Sequence, residues 1–352
     1  MAMEFYILNQ SLQIQGIIDT YKSAIWNSRY YTAGDFELYV PASDQNTNLL
    51  QEGYFVVRVD DTTKGGIIER VGIQTDAENG NYITATGHTL FSLLSRRIMW
   101  KQTRYSGLLE KALRRMIYDN CIAPEKAART IPNLMLGAEL GINTHIQTQF
   151  TGDNIGTSIS ELCKTYGLGC DVQFDFSLRK FVFILYEGTD RSYNQSENPF
   201  VIFSPDYENI ISSQYSNDIS AYKTTAQVAG EGQGVDRVKT SIGDSVAGLQ
   251  RFELFVDARD LSSNSGELSA SEYRALLEQR GRDKLAEAGI TENVSSEVAH
   301  DQTFKLNRDY FLGDIVEIIN EYGIAMTPRV TEVIECQDNT GYTCIPTFST
   351  ED

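Results

Sequence analysis

The sequence predicts an α+β, mainly β protein in which two small β-barrel-like domains flank an inserted α/β module. Short segments of alternating apolar and polar residues recur across residues 1–100 and again across 191–352. Residues 101–190 instead contain two segments with helical apolar spacing. The chain has 352 residues, which is enough for two or three domains. We therefore predict a first β-barrel-like domain at 1–100, the insertion at 101–190 and a second β-barrel-like domain at 191–352.

The first predicted domain consists of short strands and turns. Residues 23–40 alternate apolar and polar side chains on either side of a turn. Asn79-Gly80 predicts a tight hairpin between two later strands, because this pair tolerates positive φ. Residues 88–97 follow with helical spacing of leucines. Trp26, Tyr30 and Phe36 are expected to fill the core of this domain, while Gly34 and Gly87 are expected at turns or strand ends.

The inserted segment changes character at residue 101. Ser106 is expected to cap a first helix, whose apolar side chains fall on one face. Asp153 is expected to start a second helix, and Gly167 to end it. Residues 170–186 then form a predicted hairpin with a tight turn. This alternation of helices and strands predicts a small α/β module.

The last segment returns to alternating strand patterns from about residue 191. Ser269 and Glu272 form a predicted capping box, because each side chain can accept a hydrogen bond from the other's backbone N–H. The helix that they open is expected near 269–289 and to end at Gly289. Gly313 and Asp314 predict a turn in which the Asp314 side chain bonds nearby backbone.

The composition excludes several classes of function. Asp and Glu number 48 against 30 Lys and Arg, which gives a net charge of −18. Such a balance disfavours binding to nucleic acid or to anionic membranes as the main task. No apolar run approaches the ~20 residues of a membrane-spanning helix, and no signal peptide or membrane anchor is expected. The 5 dispersed cysteines favour a reducing cytoplasm before assembly over a secreted disulfide framework.

Histidine and cysteine patterns give little sign of metal or catalytic chemistry. His88, His145 and His300 are far apart, and none begins a His-Glu-x-x-His pattern. Cys336 and Cys344 bracket a turn. This leaves open whether the two thiols face each other across a hairpin or serve as small buried apolar residues.

The remaining candidate motifs also favour structural roles. The glycine-rich stretch at 230–234 lacks the Lys-Ser/Thr of a phosphate-binding loop and is expected to be a turn. Ser158 falls within a predicted helix and lacks the last glycine of a nucleophile elbow. Paired carboxylates such as Asp171 and Asp175 are expected by number alone. We predict no catalytic, cofactor-binding or metal-ligating residue, no cofactor, and a protein that is not an enzyme.

Several segments distributed along the chain resemble a siphophage and prophage tail protein family. The family comprises tail hubs and the N-terminal hub part of tail-associated proteins. The order and spacing of the segments carry the resemblance. They are residues 24–30, 33–41, 66–71, 83–90, 93–98, 151–154, 186–191, 310–316 and 329–333.

The resemblance implies a baseplate hub at the tail tip. In such hubs three subunits, each with two barrel-like domains, form a six-membered ring that caps the tail tube. The ring surrounds the exit channel for tape-measure protein and DNA, and the DNA passes without specific binding. Implied partners are further copies of the chain, the distal tail protein, the tail tube and the tape measure. Contact with fibre or receptor-binding proteins is a further option.

Two other functions stay open from the sequence. A tail-associated cell-wall hydrolase or peptidase would need converging titratable side chains in a cleft. A host-surface carbohydrate-binding module would need an exposed aromatic cluster. The acidic composition also suggests that negative charge faces the hub channel and repels DNA, so that DNA slides through it.

Overall fold

Strands from both ends of the chain join in one large antiparallel sheet. The computed structural model describes residues 3–78, 80–263, 268–298 and 303–350. The strands are β1 (Phe5–Leu8), β2 (Ile14–Ile18), β3 (Ser23–Arg29), β4 (Asp35–Pro41), β5 (Phe55–Arg58), β6 (Gly65–Gln74), β7 (Tyr82–Thr89), β8 (Thr103–Leu108), β9 (Leu134–Leu136), β10 (His145–Phe150), β11 (Gly169–Asp175), β12 (Lys180–Tyr186), β13 (Ile202–Phe203), β14 (Ile210–Asp218), β15 (Thr225–Ala229), β16 (Lys239–Ile242), β17 (Glu253–Asp257), β18 (Thr291–Val298), β19 (Glu317–Ile319), β20 (Ala325–Met326), β21 (Arg329–Asp338) and β22 (Gly341–Thr350). The helices are α1 (Asp44–Leu49), α2 (Leu109–Ile117), α3 (Ile155–Thr165) and α4 (Ala270–Glu287).

The large sheet has 11 strands in the order β14-β18-β22-β21-β3-β4-β7-β6-β5-β1-β2. Strands β2 and β14 form its two edges, and no pairing within the described ranges joins these edges into a closed barrel. The mainly β fold class is confirmed. The barrel shape of each half and the domain limits at residues 100 and 190 stay predictions.

Aromatic side chains fill the core on one face of the large sheet. Trp26 and Phe36 are both buried there, and their rings stack with centroids 5.5 Å apart. Gly34 directly precedes β4, as expected for a strand end. Gly87 was expected at a turn or strand end but lies within β7. A side chain there is excluded, because its Cβ would lie 1.8 Å from the backbone oxygen of Ile67 on the neighbouring strand.

The predicted helix at 88–97 is shorter than expected. Its first two residues still belong to strand β7, which ends at Thr89. The following 3₁₀ turn runs over Leu90–Arg96 and buries four apolar side chains. His88 still pairs with Asp35 of β4. At the start of the predicted helix, this strand pairing prevails over the helical spacing of the leucines.

The inserted segment contains helices α2 and α3 beside two small sheets. Ser106 does not cap α2, because Ser106 lies in β8 and pairs with Gln147 of β10. Helix α2 begins at Leu109 without a side-chain cap. Helix α3 starts at Ile155, two residues after the expected Asp153. Its N-cap is Asn154, whose side chain accepts a hydrogen bond from the backbone N–H of Thr157.

A left-handed glycine lies two residues after the end of helix α3. Gly167 has φ +65 one residue past the helix C-cap, which confirms its predicted place at the helix end. Strands β11 and β12 then form the expected hairpin.

A further small sheet, β16-β15-β17, packs one face against α4. The capping box predicted at Ser269 and Glu272 is confirmed, with both reciprocal hydrogen bonds present. The helix ends at Glu287, two residues before the predicted Gly289. The glycine-rich stretch at 230–234 forms the connection between β15 and β16, as expected for a turn.

Candidate functional site

The two ends of the chain meet where strands β3 and β21 pair. Seven residue pairs, from Arg29 with Glu332 to Ser23 with Asp338, form this antiparallel register. The Arg29 guanidinium lies 2.7 Å from the Glu332 carboxylate and 2.8 Å from that of Asp35. The Asn27 side chain donates a further hydrogen bond to Glu332. The N-terminal and C-terminal β segments are thus joined through backbone and side chains, and we call this region the junction.

A buried ion cluster lies under the junction. The Arg58 guanidinium donates to the Glu335 carboxylate at 2.6 Å, and both side chains are only 3% exposed. Arg58 also binds Asp60 through two hydrogen bonds, and the Lys64 ammonium lies 3.1 Å from Glu335. The Tyr342 hydroxyl donates to the second Glu335 oxygen. Every charged group in this cluster has a partner of opposite charge, as burial requires.

The cluster keeps Glu335 ionised. Burial alone would raise the pKa of this carboxyl, but Lys64 and Arg58 outweigh burial and lower the pKa to about 2. Burial likewise opposes ionisation of Asp60, and the Arg58 guanidinium lowers its pKa. A carboxylate that stays charged at neutral pH between two fixed cations serves as a structural anchor, not as a proton donor.

Tyr30 lies at the centre of a second contact among the three sequence segments. Its ring is fully buried, and its hydroxyl accepts a hydrogen bond from the Gly188 N–H at 3.1 Å. The guanidinium of Arg329 lies 5.2 Å from the ring centre. Gly313, with φ +97, leaves space for the ring, because a Cβ there would lie 2.2 Å from the Tyr30 Cε2 atom. Tyr30 is buried as predicted, but in a core shared with the inserted segment and not in the core that holds Trp26 and Phe36. It also links the inserted segment to the C-terminal one.

The turn at Gly313 and Asp314 fixes the chain beside Tyr30. The buried Asp314 carboxylate accepts backbone N–H bonds from Thr189 and Phe311. It also accepts a 2.6 Å hydrogen bond from the Arg191 guanidinium. The predicted turn and its Asp314 bonds to nearby backbone are confirmed.

A cleft opens beside the junction and receives walls from all three sequence segments. Its volume is about 360 Å³. The residues that line it include Arg29, Asp61, Thr63, Lys64, Asp171, Gln173, Ile184, Tyr186, Leu306, Asn307, Phe311, Leu312, Val333 and Glu335.

Asp171, which the sequence left as one carboxylate among many, lies in this cleft on strand β11. Burial raises its pKa to about 6, against a backbone N–H bond from Val172 and the charge of Lys64, which both lower it. No sequence pattern marks Asp171, because only the folded chain encloses it. The sequence analysis named Asp175 together with Asp171. In the structure, Asp175 accepts hydrogen bonds from the Ser177 backbone N–H and hydroxyl in the β11–β12 turn.

The cleft has few of the groups that catalysis needs. Neither His88 nor His145 lines it: His88 contacts Glu69, and His145 contacts the Asn143 backbone. His300 lies outside the described residues. In the described part of the chain, no group of three or more His, Cys, Asp or Glu side chains is arranged to hold a metal ion. Ser158 is buried in α3, as its helical spacing suggested.

The paired cysteines at the last hairpin do not face each other. Cys336 is opposite Thr343, and Cys344 is opposite Glu335. Because neighbouring strand residues point to opposite faces, the two thiols lie on different sides of the sheet. Of the two alternatives that the sequence left open, facing thiols are therefore wrong, and both cysteines are free.

No helix in the described ranges is both long and apolar enough to cross a membrane.

Sequence comparison decides the family. A model of the siphovirus ReqiPepy6 Gp37-like protein family matches residues 4–348. The chain belongs to this family. The resemblance to siphophage and prophage tail proteins is thereby confirmed, since the match spans nearly the whole chain. No curated protein sequence matches the chain.

Solved structures of tail proteins share the fold. A tail protein from Neisseria meningitidis MC58 aligns with TM-score 0.60 and 14% identity over 100% of this chain and 97% of its own. The 43 kDa tail protein of prophage MuSo2 from Shewanella oneidensis aligns with TM-score 0.59 and 12% identity over 98% of each chain. Prophage tail protein gp18 from Listeria monocytogenes EGD-e aligns with TM-score 0.58 and 15% identity over 99% and 95%. With the family match, these place the chain among phage or prophage tail proteins.

Proposed function

We propose that this Gp37-like protein is a baseplate hub that forms a homotrimer at the distal end of the tail tube. In this proposal each copy supplies two β units, one from residues 1–100 and one from 191–352. Three copies then form a six-membered ring around the exit channel for tape-measure protein and DNA. The tail tube, the distal tail protein and the tape measure are its direct partners, and the virion tail tip is its final location. The inserted segment 101–190 lies between the two units.

The observation that carries this proposal is the open 11-stranded sheet with an uncharged edge strand. Strand β2 presents no charged residue, and its Ile14 and Ile17 are 46% and 43% exposed. Isolated proteins usually protect such edges with charge or proline. A ring of identical copies requires a surface that meets a different surface on the next copy, and an unprotected edge is suited to that contact.

The side chains in the cleft favour a structural role over an enzymatic one. Glu335 and Lys64 are bound to each other, and neither histidine of the described ranges reaches the cleft. A structural role explains why Glu335 is buried between Arg58 and Lys64, and it requires no catalytic function for these charges. Incubation of the protein with purified peptidoglycan tests this directly, and release of soluble fragments would favour the hydrolase alternative.

Light scattering across protein concentration tests the trimer. The wild-type chain should shift from the mass of one copy toward that of three as concentration rises. Ile17→Lys places a charge at the β2 edge and should reduce this association. Leu178→Lys is the matched control, because Leu178 is equally apolar and 60% exposed but lies in the β11–β12 turn. Equal association of both variants would contradict a role for the β2 edge. A monomeric wild-type chain at every concentration would argue against self-assembly without a tail template.

A further inference from the structure

The cleft beside the junction contains a carboxylate whose charge is not neutralised by an ion pair. Glu335 is paired with Arg58 and Lys64, and Arg29 is paired with Asp35 and Glu332. Within the described ranges, no ion pair involves Asp171. In the same part of the chain, its side chain accepts one hydrogen bond, from the N–H of the next residue, Val172, at 2.7 Å. The second carboxylate oxygen is thus available to a group in the cleft.

Because Asp171 is partly buried, a negative charge without an ion-pair partner is unfavourable there. The side chain is partly buried, and it lines the cleft together with residues of all three sequence segments. Asp61 lies in the same cleft and adds negative charge. Asp61 itself accepts hydrogen bonds from the Thr63 N–H and hydroxyl. A partly buried carboxylate without a direct ion-pair partner is costly, and a bound cation relieves that cost.

The remaining walls fit a hydrocarbon stem. Ile184, Leu306, Leu312 and Val333 supply apolar surface, and the rings of Tyr186 and Phe311 also line the cleft. Alkyl chains of amines lie along such surfaces while the charged end binds a carboxylate or an aromatic face. The volume of about 360 Å³ falls at the small end of ligand sites.

We propose that the cleft binds an alkylammonium group, with its nitrogen on the Asp171 carboxylate and its stem against the apolar walls. An anion is disfavoured, because both cations that line the cleft are already paired with carboxylates. The ammonium can belong to a free polyamine or to a lysine side chain of a tail partner. This inference does not depend on the proposed hub role.

Calorimetric titration of the full chain at constant ionic strength tests the proposal. Two probes are used, the diamine cadaverine and Nα-acetyl-lysinamide, and each should bind saturably. Stronger binding of cadaverine would favour a free polyamine, and stronger binding of the lysine derivative would favour a partner's side chain. The neutral analogue with an acetylated lysine amine keeps the stem and should not bind.

Asp171→Asn keeps the side-chain size and should weaken both probes by about tenfold or more, as expected for loss of a charge-assisted hydrogen bond. Asp19→Asn removes the same charge from an exposed position outside the cleft and should leave binding within about twofold, because only distant electrostatics change. Equal binding by the Asp171 and Asp19 variants would overturn the proposal. So would equal binding of the acetylated analogue, or absence of saturable binding by the wild-type chain.

Discussion

The Arg58 guanidinium and the Glu335 carboxylate lie 2.6 Å apart, although 277 positions separate them in the chain. This ion pair connects strand β5 of the N-terminal segment to strand β21 of the C-terminal segment. It lies beneath the strand pairing between β3 and β21. The two β segments are therefore fixed to each other by a buried charge pair as well as by backbone hydrogen bonds.

Removal of the Glu335 charge should destabilise the fold strongly. Glu335→Gln leaves Arg58 and Lys64 without their shared carboxylate, and we expect a loss of about 3 kcal/mol in the free energy of unfolding. Glu332→Gln is the matched control on the same strand, because Glu332 also binds an arginine but is 25% exposed. It should cost about 1 kcal/mol or less. Urea unfolding measures both, and similar losses would contradict the anchoring role of Glu335.

The effect of Glu335→Gln should also depend on pH. The pKa of Glu335 is about 2 in the folded chain, below its ordinary value of 4.5. Its stabilising contribution is therefore present above pH 4.5 and is lost as the pH falls toward 2. The difference between wild type and Glu335→Gln should shrink over that interval. A constant difference from pH 5 to pH 2 would show that the charge is not responsible.

The contact between Gly313 and Tyr30 should not tolerate a side chain. Gly313→Ala places a methyl group against a fully buried ring and should cost about 3 kcal/mol or more. Gly323→Ala is the control, because Gly323 also has positive φ, but among the described residues no atom beyond its two chain neighbours lies within 4 Å of the position that its Cβ would take. That control isolates the backbone strain, expected at about 1 kcal/mol. Thermal unfolding compares them, and equal losses would mean that the Tyr30 contact contributes nothing.

Asp171→Asn should stabilise the protein at neutral to basic pH. The pKa of Asp171 is about 6 in the fold and 3.8 ordinarily, so the folded chain binds the proton more readily. Wild-type stability should therefore rise as the pH falls through 6 toward 3.8. The variant should be more stable than wild type by about 1–2 kcal/mol at pH 8, with the difference gone near pH 4.

Other charged or titratable groups line the cleft around Asp171 and enter the interpretation of that pH profile. They are Arg29, Asp61, Lys64, Tyr186 and Glu335. Asp61 raises the pKa of Asp171, and Lys64 lowers it. Measuring the free energy of unfolding in the Asp61→Asn background separates the titration of Asp171 from the effect of Asp61. A stability difference for Asp171→Asn that does not change with pH would contradict an enclosed, titrating Asp171.

The sequence predicts local structure well where the signal is local. The Ser269–Glu272 capping box, the Gly167 helix end and the β11–β12 hairpin follow from residues within a few positions of each other. Local spacing fails where a distant strand competes, as at Ser106, which pairs with β10.

Long-range features have no counterpart in local sequence. Arg58 and Glu335 are ordinary charged residues until β3 pairs with β21, and Asp171 becomes exceptional only when three segments enclose it. The family resemblance predicted the class of protein from residues distributed over the whole chain. The order of the 11 strands depends on pairings that span the chain, which alternation alone does not specify.

Electron cryomicroscopy of intact tails that contain this protein tests the central proposal most directly. The hub account predicts three copies at the distal end of the tail tube, with the two β segments of each copy lining a continuous channel. Six copies along the tube, or a position on a peripheral fibre away from the channel, would contradict it.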